Sequence, residues 1–220
     1  RELHEEGVDS IRDYKALCTG SHPEYHTPQT LDTLQNYRDQ GGRLVYLGGN
    51  GFYWKIALSP EDPELIEIRR GESGIRAWAA EPGEYYHSFD GAYGGLWRRN
   101  GRPPQLLAGV GFSAQGKFEG SYYRRTAESR APDLAWMFEG IEDQEILGDF
   151  GFSGGGAAGF ELDRADVRLG TPEEVRVVAS SENHTSSFVL VPEEMLTHIT
   201  NWPGEEEQQK LIRSDIVYFR

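Results

Sequence analysis

The sequence is short of cysteine, of methionine and of basic residues. A single cysteine, Cys18, excludes an internal disulfide and fits a reducing compartment. Lys and Arg number 22 against 36 Asp and Glu, a formal charge of −14. So acidic a chain repels nucleic-acid phosphates and anionic membrane surfaces, and neither is expected as a partner. Long apolar runs are missing too. Hydrophobic residues make up 37 %, mean hydropathy is −0.62, and nothing approaches the roughly 20 residues of a spanning helix. No targeting segment opens the sequence, and a cytoplasmic setting is expected.

Glycine and aromatic residues are abundant. Gly accounts for 27 of 220 residues, against about 7 % in an average protein, and Phe, Trp and Tyr make up 12 %. Charged and branched residues are mixed among them, so a folded, loop-rich β region is expected rather than disorder. The length suits one large domain or two small ones.

Residues 1–58 read most clearly. Leu3, Val8 and Ile11 share one side of a short helix, and Ala16 to Cys18 form an apolar run. Thr27 is a good N-cap, Pro28 suits the first helical turn, and Leu31, Leu34 and Tyr37 recur every three residues. Gly41-Gly42 stops the helix, and Arg43 to Leu47 form a second short strand. Strand, helix and strand at this spacing predict a right-handed βαβ unit with a parallel pair. Residues 59–220 read as a β-rich excursion with short helices. Strands are expected around Ile66 to Ile68, from Gln105 to Phe112 and from Asp215 to Phe219, the last returning to the parallel sheet. Helices are expected from Leu134 to Phe138 and from Glu193 to Ile199, and Gly204 to Lys210 as a solvated stretch. A strand so near the end, and a βαβ unit with so long an excursion, suggest a piece of a longer polypeptide.

In parallel α/β sheets the ligand site lies beyond the carboxyl ends of the strands. Ser21 to His26 leave the first strand at that edge and Gly48-Gly49-Asn50-Gly51 leave the second. His22, Glu24 and Asn50 are therefore expected to be neighbours. Along an extended segment His22, Glu24 and His26 would share a face, and two imidazoles with a carboxylate could serve iron or zinc; the alternative is a solvated loop capping the next helix. Asn50 could donate to an oxyanion or simply tolerate a left-handed backbone. Gly151-Phe152-Ser153-Gly154-Gly155 matches G-x-S-x-G, but the glycines that follow do not make the helix a serine elbow needs. A loop carrying Glu161 toward another site is the better reading. Cys18, inside a strand, is expected to be a buried hydrophobe, and His87 a packed side chain.

Several segments resemble the catalytic half of the large subunit of the N,N-dimethylformamidase family. They are Thr19 to Tyr25, Gly41-Gly42-Arg43-Leu44, Leu47 to Trp54, Glu81 to His87 and Gly109-Val110-Gly111-Phe112, with Gly-Gly-Asn-Gly-Phe-Tyr-Trp the most specific. The resemblance implies an α/β fold with part of a class I glutamine-amidotransferase-like (flavodoxin-like) parallel sheet, without the amidotransferase cysteine. It implies an amidohydrolase with one ferric ion, acting on small N-substituted amides such as N,N-dimethylformamide, giving formate and dimethylamine. The family holds its iron with two tyrosines and a glutamate. Carried over, Glu24 is the metal ligand, His22 a close neighbour, Asn50 the site asparagine and Glu161 the residue that moves a proton. The resemblance gives His26 no ligand role. The tyrosines lie upstream in the family, and only Tyr14 precedes His22 here, so they are expected outside these residues and the piece alone is expected to be inactive. A small companion subunit and a homo-oligomer of the large subunit are implied partners. The competing expectation is a non-catalytic amidotransferase-like domain that binds carbohydrate or a partner protein through its loop aromatics.

Overall fold

A computed structural model describes residues 1–62, 64–71, 78–151, 154–191 and 204–220. Its elements are α1 (Glu2–Glu5), β1 (Ala16–Cys18), β2 (Tyr25–His26), α2 (Pro28–Asp39), β3 (Arg43–Val45), β4 (Trp54–Leu58), β5 (Ile66–Ile68), α3 (Pro104–Ala108), β6 (Gly111–Gln115), β7 (Tyr122–Arg125), β8 (Glu161–Arg164), β9 (Arg176–Glu182), β10 (Val189–Leu190), α4 (Glu205–Leu211) and β11 (Asp215–Tyr218), with several short 3₁₀ turns between them. The architecture is mixed α/β and mostly β, with four small sheets among the described residues.

The predicted βαβ unit is present. β1 and β3 pair in parallel, with Ala16 opposite Arg43 and Cys18 opposite Val45. Between them, α2 starts where Thr27 accepts a hydrogen bond from the Thr30 amide at 3.2 Å, one of the donors a helix start leaves unsatisfied. Pro28 occupies the first turn, and Leu31, Leu34 and Tyr37 form the buried face. The Tyr37 hydroxyl donates to the Tyr14 carbonyl at 2.8 Å, tying the helix to the segment before β1.

An extended parallel sheet is not seen among the described residues. β1–β3 is a two-stranded sheet of its own. A second parallel contact, β2 with β4, belongs to a mixed sheet ordered β2-β4-β5 whose other pairing is antiparallel. This sheet carries the chain past residue 58, and the first of two compact units runs from Arg1 to Ala108. The stretch expected as a strand from Gln105 to Phe112 is split: α3 takes Pro104–Ala108, and only Gly111–Gln115 is strand. Proline pre-sets the helical φ at a first turn, Gln, Leu, Leu and Ala are good helix formers, and Arg38 donates to the carbonyls of Leu106 and Leu107 at 2.7 and 3.1 Å.

The second unit, Gly109–Arg220, holds two antiparallel three-stranded sheets, β10-β6-β8 and β11-β9-β7. Ala114, Ala158, Leu162, Phe188, Leu190 and Ile212 form one core cluster, and Leu134, Phe138 and Val178 another. The last strand, expected to return to the parallel sheet, pairs antiparallel with β9, Asp215 opposite Ser180. The stretch expected as solvated is helix α4, exposed as foreseen, with Glu205, Glu206 and Glu207 in its first turn, where negative charge suits the helix dipole. Leu134 to Phe138 contains a 3₁₀ turn, Ala135–Phe138, rather than an α-helix. The helix expected from Glu193 to Ile199 lies outside the described residues, as does Ser153. No helix among the described residues is long and apolar enough to cross a membrane.

Candidate functional site

Two loops of the first unit converge at the carboxyl ends of β1 and β3. A Cβ on Gly48 would come within 2.5 Å of the Ser21 carbonyl oxygen, closer than any real side chain tolerates, so glycine lets the loops touch. Backbone hydrogen bonds then lock them: Phe52 N–H to the Pro23 carbonyl at 2.7 Å, and Tyr53 and Trp54 N–H to the Glu24 carbonyl at 3.0 and 2.9 Å. Asn50 and Phe52 both adopt positive φ, 51° and 54°. For Phe52 such a backbone costs about 1–2 kcal/mol, held in place by its amide bond and by ring contacts with His26 and Tyr46 at 5.0 and 5.2 Å.

This closure brings together three of the four expected site residues. Asn50 Nδ2 donates to Glu24 Oε1 at 3.2 Å across 26 positions of sequence. His22 Nε2 stands 3.6 Å from Glu24 Oε2, with the imidazole 45 % exposed and the carboxylate only 13 %. That distance is longer than a hydrogen bond. The result is a carboxylate at a loop surface with one oxygen bonded and the other facing an imidazole. Glu161 belongs to the second unit, where it opens β8, half-buried and opposite Gln115.

His26 is not part of the cluster. The Glu24 amide bonds the His22 carbonyl at 3.0 Å, a tight turn that breaks the alternation expected of an extended His22-x-Glu24-x-His26. His26 Nε2 donates to the Pro23 carbonyl at 2.8 Å, and burial pushes its pKa down to about 4, with only that carbonyl opposing. Cys18, expected buried, is exposed. Phe52, Tyr53 and Trp54 are core residues, 1, 7 and 5 % exposed. His87 is buried, its Nδ1 3.3 Å from Asp90 Oδ1. The region after Phe52, with no strand foreseen there, holds β4, whose Lys55 is buried and donates to the Tyr93 carbonyl at 2.8 Å.

Tyr25, the neighbour of Glu24 in sequence, and Arg70 form a contact absent from the sequence reading. Burial, then the charge of the adjacent Glu24, push the Tyr25 phenol pKa up against the opposing pull of Arg70. Arg70 Nη2 donates to the same hydroxyl at 2.5 Å, and its guanidinium lies 4.9 Å from the Trp54 ring centroid.

Among the described residues no group of three or more His, Cys, Asp or Glu side chains is arranged to hold a metal ion. Glu24 fits as one anionic oxygen donor of a ligand set, a hard donor of the kind a trivalent cation favours. Tyr14 is 65 % exposed.

Residues 1–220 match the family model described as N,N-dimethylformamidase beta subunit-like, C-terminal. Over 218 residues the chain is 40 % identical to the N,N-dimethylformamidase beta subunit of Paracoccus aminophilus, covering 99 % of this chain and 28 % of that protein. It is 39 % identical to the N,N-dimethylformamidase beta subunit of an Alcaligenes species, again over 99 % of this chain and 28 % of the relative. The chain thus spans a little over a quarter of the length of these relatives.

Proposed function

Because the chain belongs to the N,N-dimethylformamidase beta subunit-like, C-terminal family, we propose that it forms part of an iron-dependent hydrolase of small N-substituted amides. The observation that carries this reading is the Glu24 carboxylate, bonded by Asn50 and faced by His22, in a chain 40 % identical to a dimethylformamidase subunit. Ferric iron would supply Lewis acidity at the amide. Glu24 is the anionic donor this chain contributes to it, with two tyrosines contributed from outside these residues. The parallel pair β1–β3 with α2 supports reading this region as part of an amidotransferase-like sheet.

The chemistry is addition of water across an amide: a C–O bond forms at the carbonyl carbon, the C–N bond breaks, and a carboxylic acid and an amine result. Asn50, whose amide bonds Glu24, serves the oxyanion, and His22, the more exposed partner of Glu24, orients the water. Glu161 takes the proton from the attacking water and delivers it to the leaving nitrogen. A small companion subunit and self-association of the large subunit complete the proposal, in a cytoplasmic enzyme.

The test uses the complete polypeptide with its companion subunit. Glu24→Ala is expected to reduce bound iron to background and hydrolysis of dimethylformamide by at least ~100-fold, since metal chemistry contributes several kcal/mol. Full iron content with full turnover would remove Glu24 from the site. Glu161→Gln is expected to keep iron and lose turnover, with an altered pH profile; an unchanged profile rejects the proton-transfer role. The exposed Trp78, Tyr86 and Trp136, 53, 51 and 62 % exposed, favour a second reading, a carbohydrate-binding domain; metal-bound protein with no hits on a glycan array dismisses it.

A further inference from the structure

Acidic residues outnumber basic ones by 36 to 22, so a cation of this chain is expected to find a carboxylate beside it. Many do: Arg102 pairs with Asp32, Arg130 with Asp143, and Arg176 with Glu128 and Asp133. Lys15 and Arg43 are different. Neither side chain has an ion-pair or hydrogen-bond partner among the described residues. Both line one cavity of about 440 Å³, together with Arg12, and no Asp or Glu among the described residues shares its lining. That volume falls within the roughly 300–1,000 Å³ of small-molecule sites.

The cavity lies at the amino ends of the parallel pair. Lys15 directly precedes β1, and Arg43 opens β3 opposite Ala16. The loops that carry Glu24 and Asn50 leave the other ends of the same strands. Tyr37, which also lines the cavity, organises it. A Cβ on Gly42 would come within 2.5 Å of the buried Tyr37 ring, so only glycine lets the backbone entering β3 lie against that ring. The Gly42 amide donates to the Tyr37 carbonyl at 2.9 Å, which fixes the chain just before Arg43. The Tyr37 hydroxyl donates to the Tyr14 carbonyl at 2.8 Å, which fixes the chain just before Lys15. Two cations are thus carried to one opening by backbone already in place, and preorganisation of this kind lowers the cost of binding.

The balance of charge sets the sign of the ligand. The carboxyl end of α2 reaches the cavity at Gln40 and Gly41 and contributes about half a negative charge. Arg12 is offset by Asp9. The full charges of Lys15 and Arg43 outweigh that half charge. Lysine and arginine carry donors and no acceptor, so the ligand must bring acceptor oxygens. The guanidinium fork fits the paired oxygens of a phosphate or carboxylate.

We propose that this cavity is a binding site for a small anionic molecule that presents a phosphate or carboxylate group to Lys15 and Arg43. The proposal stands apart from the reading of Glu24 as a metal ligand, and its test does not depend on iron.

The complete polypeptide with its companion subunit is titrated by calorimetry at low ionic strength, with inorganic phosphate in one arm and citrate in the other. Binding of one anion per chain is expected in at least one arm, weakening as salt is added, and the tighter arm identifies the group. Lys15→Gln combined with Arg43→Gln is expected to weaken that binding at least ~10-fold, the scale of a lost hydrogen bond to a charged group. Arg43→Lys, which keeps the charge but loses the fork, should weaken it by less. Turnover of dimethylformamide and iron content should stay at the parent's level in all of them. No binding in either arm overturns the proposal, as it would if a carboxylate elsewhere in the complete polypeptide already engaged these cations. Binding that the double variant leaves unchanged overturns it too. Should the double variant not fold, labelling of the parent with acetic anhydride decides. A saturating anion is expected to shield Lys15 while Lys117 and Lys210, which lie outside the cavity, react as before; equal labelling of Lys15 with and without the anion ends the proposal.

Discussion

Asn50 meets two demands at once. Its backbone sits at φ 51°, a region asparagine tolerates better than most side chains, and its amide holds Glu24. Asn50→Gly separates the two, because glycine adopts that backbone freely. The expected outcome is a melting temperature within a few degrees of the parent and turnover of the complete polypeptide reduced about 10-fold or more, the cost of a lost orienting contact. Asn50→Ala should lose the same activity and a further ~1–2 kcal/mol of stability from the strained backbone, read from urea unfolding. Parental turnover in Asn50→Gly would leave Asn50 as a turn residue and nothing more. At this scale the triad was legible in the sequence, because two loops leaving parallel strands at one edge must be neighbours. Tyr25 and Arg70 were not: 45 positions separate them, and their link depends on β4 lying between β2 and β5. His26 was misplaced by the alternation argument because strand geometry begins only at Tyr25.

Helix α2 shows how an element was readable from its ends. Thr27 is 3 % exposed, accepts the Thr30 amide at 3.2 Å and meets His4 Nδ1 at 2.8 Å, joining helix start and N-terminal segment. Thr27→Ala is expected to cost about 1 kcal/mol and Thr27→Ser to restore most of it, measured by urea unfolding; an alanine variant as stable as the parent would mean the cap contributes nothing. Where the signals were short or conflicting, the elements were hidden. β2 has two residues, too few for periodicity. β4 is buried at four of its five positions, so it shows no alternation, and Lys55 within it reads as surface. α3 reads as strand in the sequence because Leu106, Leu107 and Val110 form an apolar run. The glycine-rich segment before β8 also had a reason that only packing reveals. A Cβ on Gly156 would lie 2.2 Å from the Ser121 carbonyl oxygen, because this stretch pairs with the strand leading into β7, Ser121 opposite Ala158. Glycine there serves a close backbone approach.

For the molecule as a whole, acid is the condition that separates two opposing expectations. A net charge of −14 repels itself in the compact state, and acidification towards neutrality would relieve that. Specific buried groups act the other way. Burial lowers the pKa of His87, reinforced by Lys55 and opposed by Asp90 and Glu67, and burial lowers that of His184. Stability from a buried neutral histidine is complete above its ordinary value, near 6.5, and is lost as pH falls below it, because the unfolded chain takes up protons first. Each unit also holds a depressed carboxylate. Burial alone would raise Glu67, but the backbone amides of Ser88 and Phe89 and the Arg69 guanidinium outweigh it and bring the pKa to about 2. Asp166 is likewise raised by burial and lowered further by Arg168 and Arg164, well below the usual carboxylate range. Their contribution is present above about pH 4.5 and is lost as pH falls through the folded values. Urea midpoints measured from pH 8 to 3 should therefore be level above about 7, decline below 6.5 and decline more steeply below 4.5. Glu67→Gln, which removes a charged acceptor that is only 11 % exposed, should cost about 1–3 kcal/mol at pH 7, and the gap to the parent should close as pH approaches 2, where the parent is protonated as well. A midpoint that rises between pH 7 and 5 would show that relief of the general charge outweighs the buried histidines. A Glu67→Gln deficit that persists unchanged into acid would show that its hydrogen bonds do not depend on the charge.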